Sequence, residues 1–150
     1  MATSEGGPTR KDTFTVRVTI GDRPMGVWDG LTGGELDSDE TKYNPGGMAP
    51  AVSLGGKRLP GNITLKRLYR LQRDHDSLQF LFDSVGKADC VVSKIPMDID
   101  GNIYSSGNNP LVYKGKLKRV LPPEHDSTSS DAATVEIEIV PQGDPYVGAP

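Results

Sequence analysis

The chain has 150 residues, a formal net charge of -3 and a pI near 5.3, with 18 glycines and 12 prolines. This length is typical of one domain, and the high glycine and proline content favours many turns over long helices. The net negative charge argues against a protein that binds nucleic acid tightly, because tight binding needs clustered Lys and Arg in excess. The first residues lack the regions of a signal peptide, so we expect a protein kept or assembled in the cytosol, without membrane insertion.

The N-terminal part of the chain predicts an arm followed by a strand. Residues 1–12 are small, polar and glycine-rich without periodicity, which is typical of a flexible arm outside the core. From Thr13 onward, apolar residues recur at every second position, which predicts a strand with one buried face. The apolar residues of this strand are Phe14, Val16, Val18 and Ile20. A turn at residues 21–24 follows.

The next region predicts an acidic strand and a long loop. A short apolar segment, residues 25–31, surrounds the only tryptophan. It leads into residues 35–43, which are dense in acidic side chains and predict a strand with a strongly polar face. Residues 44–61 carry five glycines and three prolines, and they predict a long loop rather than a helix or a strand. A loop of this length in a small domain is usually functional or disordered.

One segment changes from strand periodicity to helix periodicity. Residues 62–71 alternate as a strand, although Arg67 interrupts the apolar face. The apolar residues that follow have the spacing i, i+3, i+4 and i+7, namely Leu78, Leu81, Phe82 and Val85. We expect one helix over residues 74–85, with Asp74 capping its N-terminus and Gly86 closing its C-terminus.

The last third predicts a hairpin and three more strands. Residues 90–97 have the composition of a buried strand, and Asp100-Gly101 predicts a tight hairpin leading to Ile103 and Tyr104. Residues 111–121 and 134–140 predict strands with opposed polar and apolar faces. The first sets Lys114, Lys116 and Lys118 against Leu117 and Leu121, and the second sets Glu136 and Glu138 against Val135, Ile137 and Ile139.

Together these elements predict one mainly β domain over residues 13–141, followed by a glycine- and proline-rich tail over residues 142–150. About six or seven strands, one α-helix and a long loop are typical of an antiparallel two-sheet β-sandwich or partly closed barrel. No internal repeat of fixed period is present in the sequence.

No set of residues predicts catalysis, a metal site or a cofactor, so we expect a protein that is not an enzyme. His75 and His125 lie in a helix-start sequence and a hydrophilic loop, without metal-ligand spacing. Cys90 lies in an apolar run, where a buried, inert thiol is expected. Residues 35–40 lack the spacing of a calcium loop, which favours a solvated or channel-facing strand. A row of three lysines, Lys114, Lys116 and Lys118, could contact phosphates. The favoured interpretation is that this lysine row forms a polar sheet face beside the glutamates of the last strand.

The order of these signals resembles a known family. Gly30-Leu31 precedes the acidic strand, which ends at Tyr43, and Gly46-Gly47 comes next. The run Lys57-Arg58-Leu59-Pro60-Gly61-Asn62-Ile63-Thr64-Leu65-Lys66-Arg67 then stands before the helix. With the closing strand Val135-Glu136-Ile137-Glu138-Ile139, this order resembles the tail tube proteins, or major tail proteins, of contractile phage tails and related tubes. The helix lacks the family's tryptophan, and Asn108-Asn109-Pro110 replaces a tryptophan-containing segment.

The resemblance implies a structural virion protein that forms hexameric rings, stacked into a hollow tube through which DNA passes to the host. It implies a tape measure protein and a tail sheath as partners, and a phage tail assembled in the bacterial host cytoplasm. Acidic side chains on the channel wall would repel phosphate, and the candidates are Glu35, Asp37, Asp39, Glu136 and Glu138. The long loop would reach adjacent subunits through Tyr43, Pro45, Met48, Val52, Leu54 and Leu59.

Other functions compete with this interpretation. A tail terminator or a type VI secretion tube subunit, related to the haemolysin-coregulated protein, would have the same fold, and only unlimited stacking would distinguish a tube subunit from a terminator. A β-sandwich module that binds a carbohydrate or peptide belongs to a different class. A single tryptophan offers little aromatic surface for stacking on sugars, which disfavours that module.

Overall fold

A computed structural model describes residues 10–97 and 110–148. The described chain is mainly β with one α-helix, which confirms the predicted fold class. The elements are β1 Phe14–Ile20, β2 Arg23–Trp28, β3 Gly30–Gly33, β4 Leu36–Tyr43, β5 Val52–Pro60, β6 Ile63–Leu68, a π-helical turn Leu71–His75, α1 Leu78–Ser84, β7 Asp89–Pro96, β8 Leu111–Leu121, β9 Thr134–Pro141 and β10 Tyr146–Val147.

Most strands belong to one antiparallel sheet in the order β2-β1-β7-β8-β9-β6-β3, with β10 beside β8. The two ends of this order, β2 and β3, follow one another in the chain and are separated only by Asp29. The backbone N–H of Asp29 donates to the carbonyl oxygen of Lys66 at 3.1 Å. The sheet therefore curls and brings β2 close to β6 without pairing the two strands, which produces a partly closed barrel.

The hydrophobic core fills the inside of this curled sheet. Alternate residues of β1, β6, β7, β8 and β9 point inward, and Leu81 of α1 packs against them. Removing a side chain such as Ile20 or Leu65 from water contributes roughly 1.5–3 kcal/mol. The opposite side of the sheet, called the outer face here, carries the polar residues of the same strands.

The prediction of a loop over residues 44–61 is wrong for its second half. Val52–Pro60 is β5, and it pairs with β4 from Tyr43↔Val52 to Leu36↔Pro60, so the connection spans only residues 44–51. Gly55 and Gly56 belong to a strand irregularity in β5, whereas Gly46 and Gly47 lie in the connection. The register shifts between Ser38 and Glu40, and a Cβ on Gly56 would lie 2.2 Å from the carbonyl oxygen of Asp39.

The predicted helix over residues 74–85 begins too early. The α-helix starts at Leu78, whereas Asp74 lies in the preceding π-helical turn and its carboxylate binds Arg67 instead of capping the helix. The C-terminal signal is confirmed. Gly86 follows the last helical residues with a φ of 77°, a left-handed conformation that glycine adopts without a steric penalty.

The strand over residues 111–121 is confirmed in its bounds but not in its faces. A β-bulge between Leu117 and Arg119 adds one residue to β8, and this reverses the alternation beyond it. Leu121 therefore lies on the outer face, opposite Glu136 and 43% exposed. Val120 takes the inward position and packs against the core.

The other strand predictions agree with the structure where it describes the chain, except that the strand predicted over residues 62–71 is β6, which ends at Leu68. The strands predicted at residues 13–20, 90–97 and 134–140 are β1, β7 and β9. Beyond residue 141 the chain returns to the sheet as β10, while the domain limits at 13 and 141 stay predictions. The predicted hairpin at Asp100-Gly101, with Ile103 and Tyr104, lies outside the described residues, as does most of the N-terminal arm.

Candidate assembly surface

A two-stranded ribbon, residues 36–60, extends the sheet beyond the barrel. Gly33↔Ile63 in the barrel and Leu36↔Pro60 in the ribbon share one register, so β3–β4 and β5–β6 are the two arms of a single long hairpin. The backbone N–H of Gly61 donates to the carbonyl oxygen of Glu35 at 2.7 Å where the two halves join. Every residue of β4 is exposed, as is every residue of β5 except Pro60.

The two faces of the ribbon differ in chemistry. Cross-strand partners lie on the same face of an antiparallel pair, and alternate residues of a strand share a face. The partners Asp37↔Leu59, Thr41↔Leu54 and Tyr43↔Val52 form the apolar ribbon face. The partners Ser38↔Arg58, Glu40↔Gly55 and Lys42↔Ser53 form the polar ribbon face, with the apolar pair Leu36↔Pro60 at its base. On the apolar ribbon face, Tyr43 is 61% exposed and Leu54 and Leu59 are each 46% exposed.

An ion pair connects the ribbon with the barrel. Arg58 Nη1 donates to Asp144 Oδ2 at 2.6 Å, which joins the base of β5 to the chain that follows β9. Both side chains are substantially exposed, so this contact contributes at most about 1 kcal/mol. The ribbon therefore projects with little of its surface covered by its own barrel.

The structure brings the six predicted loop residues together on this ribbon. Tyr43, Val52, Leu54 and Leu59 lie on the apolar ribbon face. Pro45 and Met48 lie in the connection at its tip, where the side chain of Met48 is fully exposed. The prediction that these residues contact a neighbouring subunit stays a prediction.

The five predicted acidic residues do not share one face. Glu136 and Glu138 lie on the outer face of the main sheet, whereas Asp37 lies on the apolar ribbon face beside Leu59. Asp39 shares the apolar ribbon face with Asp37, because the extra residue at the register shift is in β5. The carboxylate of Glu35 approaches Gly61 at the ribbon base.

Basic residues surround the two outer-face glutamates. Glu138 accepts a hydrogen bond from Asn62 at 3.2 Å, and its carboxylate lies 3.4 Å from Arg119 and 3.8 Å from Lys118. Glu136 is paired across the sheet with Lys66. The lysine row is confirmed as part of a polar sheet face, but Arg119 joins it only because of the β8 bulge. No residue pattern in the sequence signals that bulge.

The described residues, 10–97 and 110–148, contain no group of three or more His, Cys, Asp or Glu side chains suited to a metal ion. Burial raises the pKa of Cys90 to about 11, with a smaller contribution from the charge of Asp89, so its thiol stays protonated at neutral pH. His75 Nδ1 lies 2.6 Å from the hydroxyl of Tyr69. No helix within these described ranges is long and apolar enough to cross a membrane.

The sequence matches no protein-family model and no curated protein. The fold, in contrast, is similar to solved structures over nearly the whole chain. A chain of the sheath–tube complex of an extracellular contractile injection system (PVC), in its extended state, matches with a TM-score of 0.68 and 19% identity, covering 100% of this chain and 99% of that one.

Two further structures show the range of these similarities. The tube-terminating cap of the anti-feeding prophage (AFP) matches with a TM-score of 0.67 and 16% identity, covering 100% of both chains. A chain of the AFP baseplate matches with a TM-score of 0.68 and 14% identity, covering 95% of this chain and 96% of that one. This chain therefore has the fold of tail-tube-type proteins, as the sequence resemblance implied.

Proposed function

We propose that this protein is a structural subunit of a phage tail or tail-like particle, without catalytic activity. In this proposal it forms hexameric rings that stack into a hollow tube through which DNA passes. Two features support the proposal: the fold similarity covers the whole chain, and the projecting ribbon has an uncovered apolar face. Assembly in the host cytoplasm, around a tape measure protein and inside a sheath, belongs to the same proposal.

The apolar ribbon face is the observation that carries the proposal. An isolated two-stranded ribbon is marginally stable in water, and contiguous exposed apolar side chains mark an interaction surface. Leu54 and Leu59 are each 46% exposed, so covering either one contributes up to roughly half of the 1.5–3 kcal/mol of a full burial. A second copy of the chain can supply the cover repeatedly, because a heterologous contact that closes by rotation generates a ring.

Electron microscopy of two matched variants tests this proposal. Leu54→Asp places a charge on the apolar ribbon face, whereas Ser53→Asp places the same charge one residue away on the polar ribbon face. We expect negative-stain images of the wild type and Ser53→Asp, taken over a concentration series, to contain six-fold rings or hollow filaments. Leu54→Asp should remain unassembled with an unchanged circular dichroism spectrum.

The proposal is wrong if Leu54→Asp assembles like the wild type. A strictly monomeric wild type at all concentrations, with or without a tail initiator complex, would instead favour the β-sandwich binding module.

We further propose that the outer face of the sheet lines the channel. The polar ribbon face continues this surface, because the register runs unbroken from the barrel into the ribbon. Glu136 and Glu138 would then face the lumen and offset the positive charge of the neighbouring Lys66, Lys118 and Arg119, which limits DNA binding there, while Asp37 would lie in a subunit contact. Reversing the first two charges should slow DNA ejection from assembled particles, whereas Asp37→Lys should reduce assembly itself. Equal ejection rates in wild-type and Glu136→Lys/Glu138→Lys particles would reject this orientation.

A tube terminator is the second candidate, because structures with that role match as well as the tube chain does. The sheath/tube terminator of the PVC system has a TM-score of 0.66 and 19% identity, covering 97% of this chain and 100% of that one. The electron microscopy experiment distinguishes the two candidates. A tube subunit stacks without limit as its concentration rises, whereas a terminator stops at single rings.

A further inference from the structure

The ion pair between Arg58 and Asp144 lies where the ribbon leaves the barrel. Arg58 stands five residues before Ile63, and Asp144 stands five residues after Ile139, the partner of Ile63 in the β6–β9 ladder. Arg58 and Asp144 therefore occupy opposite positions on the continuation of that ladder, beyond its last backbone pair. Their side chains, with Nη1 and Oδ2 2.6 Å apart, bridge two segments whose backbones are not paired with each other.

Asp144 is anchored to the barrel on both sides in sequence. Before it, the backbone N–H of Gln142 donates to the carbonyl oxygen of Lys114 at 2.7 Å. After it, Tyr146 pairs with Val112 in β10. Both anchors are on β8, which lies in the middle of the main sheet, so the backbone at Asp144 has a fixed position relative to the barrel.

The ribbon has few other contacts that could fix its direction. Within residues 10–97 and 110–148, β4 and β5 pair only with each other, and no other side-chain hydrogen bond or ion pair joins residues 36–60 to the barrel. Gly33 and Gly34 have φ values of 87° and 81°, which interrupt the extended backbone between β3 and β4. The base packs on Tyr113, since a Cβ at Gly34 would lie 2.8 Å from its ring, but that contact is at the joint itself.

The ion pair acts from the polar side of the ribbon. Arg58 is the cross-strand partner of Ser38, on the polar ribbon face. The contact with Asp144 therefore leaves the apolar ribbon face, with Leu54 and Leu59, uncovered. A contact on the apolar ribbon face would instead hide the side chains that mark the interaction surface.

An exposed ion pair is weak for folding but sufficient to favour one direction of the ribbon. Its upper limit of about 1 kcal/mol converts to about a fivefold change in the ratio between two directions, because a tenfold change corresponds to about 1.4 kcal/mol. A segment that is already ordered before it binds also loses less conformational freedom on binding. The ion pair can therefore affect assembly without a large effect on stability.

We propose that the Arg58–Asp144 ion pair holds the ribbon in one direction relative to the barrel and so prepares the apolar ribbon face for a neighbouring copy. Arg58 and Asp144 are positioning residues, because they act on the ribbon and not on the partner. The short strand β10 then keeps Asp144 in place. The positioning concerns the single chain, whereas its effect on assembly rests on the proposed function.

Distance measurements on the unassembled chain test the positioning. Spin labels at Ser53→Cys on the ribbon and Gln79→Cys on α1 report the direction of the ribbon by electron paramagnetic resonance in frozen solution. A Leu54→Asp background, checked by sedimentation velocity, keeps the chain monomeric, and the native Cys90 is buried and stays unlabelled. We expect one narrow distance distribution while the ion pair is intact.

Charge reversal and charge exchange identify the ion pair as the cause. Arg58→Asp and Asp144→Arg should each broaden the distribution and lower the ratio of the held direction to the others about fivefold. Arg58→Asp/Asp144→Arg restores opposite charges and should restore the narrow distribution. Raising NaCl from about 0.05 M to about 1 M should broaden the distribution of the chain that keeps both residues, because salt screens exposed charges.

Lys42→Asp is the matched control. It also replaces a cation on the polar ribbon face, but Lys42 pairs with Glu40 inside the ribbon at 3.7 Å and not with the barrel. Lys42→Asp should leave the distribution narrow. The proposal is overturned by identical distributions in all variants, by a double variant as broad as the single ones, or by equal broadening in Lys42→Asp.

The unlabelled chain with Leu54 intact tests the effect on assembly. The concentration at which rings or filaments appear should rise about fivefold in Arg58→Asp and in Asp144→Arg, and should return to the wild-type value when both are present. An unchanged concentration in the single variants would refute the effect of ribbon direction on assembly. A wild type that never assembles would refute the proposed function, and the distance measurements would still decide the positioning.

Discussion

Substituting Asp74 with asparagine should destabilise the protein more than any change to its surface ion pairs. The carboxylate of Asp74 binds Arg67 at 2.5 Å and Arg73 at 2.8 Å, and it accepts the backbone N–H of Arg70 at 2.9 Å. Asparagine preserves the shape but leaves the Arg67 guanidinium buried without a counter-charge. Removing one partner of a buried ion pair costs about 3–5 kcal/mol.

That loss corresponds to a large change in melting temperature. For a domain of this size, 1 kcal/mol shifts Tm by about 2–4 °C, so Asp74→Asn should melt about 6–20 °C below the wild type. Asp89→Asn is the matched control, because Asp89 forms an exposed pair with Lys116 at 3.4 Å. An exposed pair contributes about 0.2–1 kcal/mol, so this control should melt within about 4 °C of the wild type.

The difference should depend on pH in a defined direction. Burial acts to raise the pKa of Asp74, but hydrogen bonds from Arg73 and Arg70 and the charge of Arg67 outweigh it, and the pKa falls below its ordinary value. A carboxylate with a depressed folded pKa stabilises the protein fully above its unfolded pKa, about 3.9. The stabilisation is lost as the pH falls through the folded pKa.

Differential scanning fluorimetry from pH 7 to pH 2.5 measures both effects. The gap in Tm between the wild type and Asp74→Asn should be constant above about pH 5 and should narrow below about pH 3.9, because the unfolded chain then binds a proton that the folded Asp74 carboxylate binds only at lower pH. A Tm difference below 4 °C at pH 7, or one that does not narrow in acid, would show that the ionised Asp74 carboxylate does not stabilise the fold through Arg67.

Three further predictions follow from burial and backbone geometry. Cys90, whose pKa burial raises to about 11, should not react with a thiol reagent at pH 8 until denaturant is added; rapid reaction of the folded protein would contradict its burial. Leu117→Ala should cost about 2–5 kcal/mol in urea unfolding, whereas Leu121→Ala should cost less than about 1 kcal/mol, and equal costs would argue against the β8 bulge. Gly33→Ala should cost more than about 2 kcal/mol in the same assay, because φ is 87° and the new Cβ would lie 2.0 Å from the carbonyl oxygen of Asn62; a loss below about 1 kcal/mol would contradict that close approach.

Local pattern was sufficient to predict most of the barrel. The alternation of Val16, Val18 and Ile20 in β1, and of Ile137 and Ile139 in β9, fixes which side of each strand meets the core. This works because side chains alternate along any strand that keeps its regular register. The left-handed position of Gly86 is equally local, since it depends on the backbone of a single residue.

The candidate site was only partly predictable. The sequence predicts that Val52, Leu54 and Leu59 contact neighbours, but it places them in a loop because residues 44–61 are rich in glycine and proline. Whether Val52–Pro60 forms a strand depends on its pairing with β4. Amino-acid composition does not predict which segment a strand will pair with. The same limit applies to Leu121, because a bulge of one residue reverses the faces beyond it.

Local residue patterns are enough to establish the mainly β fold class, the inward faces of the regular strands and the end of the helix, because each depends on neighbouring residues in the chain. Tertiary structure alone decided the role of Arg67, which interrupts an apolar pattern and yet is buried. Its burial requires Asp74 from the π-helical turn and the carbonyl groups of β2, which lie about 40 residues away in sequence. A buried charge is tolerated only where such partners contact it, and these contacts exist only in the folded chain.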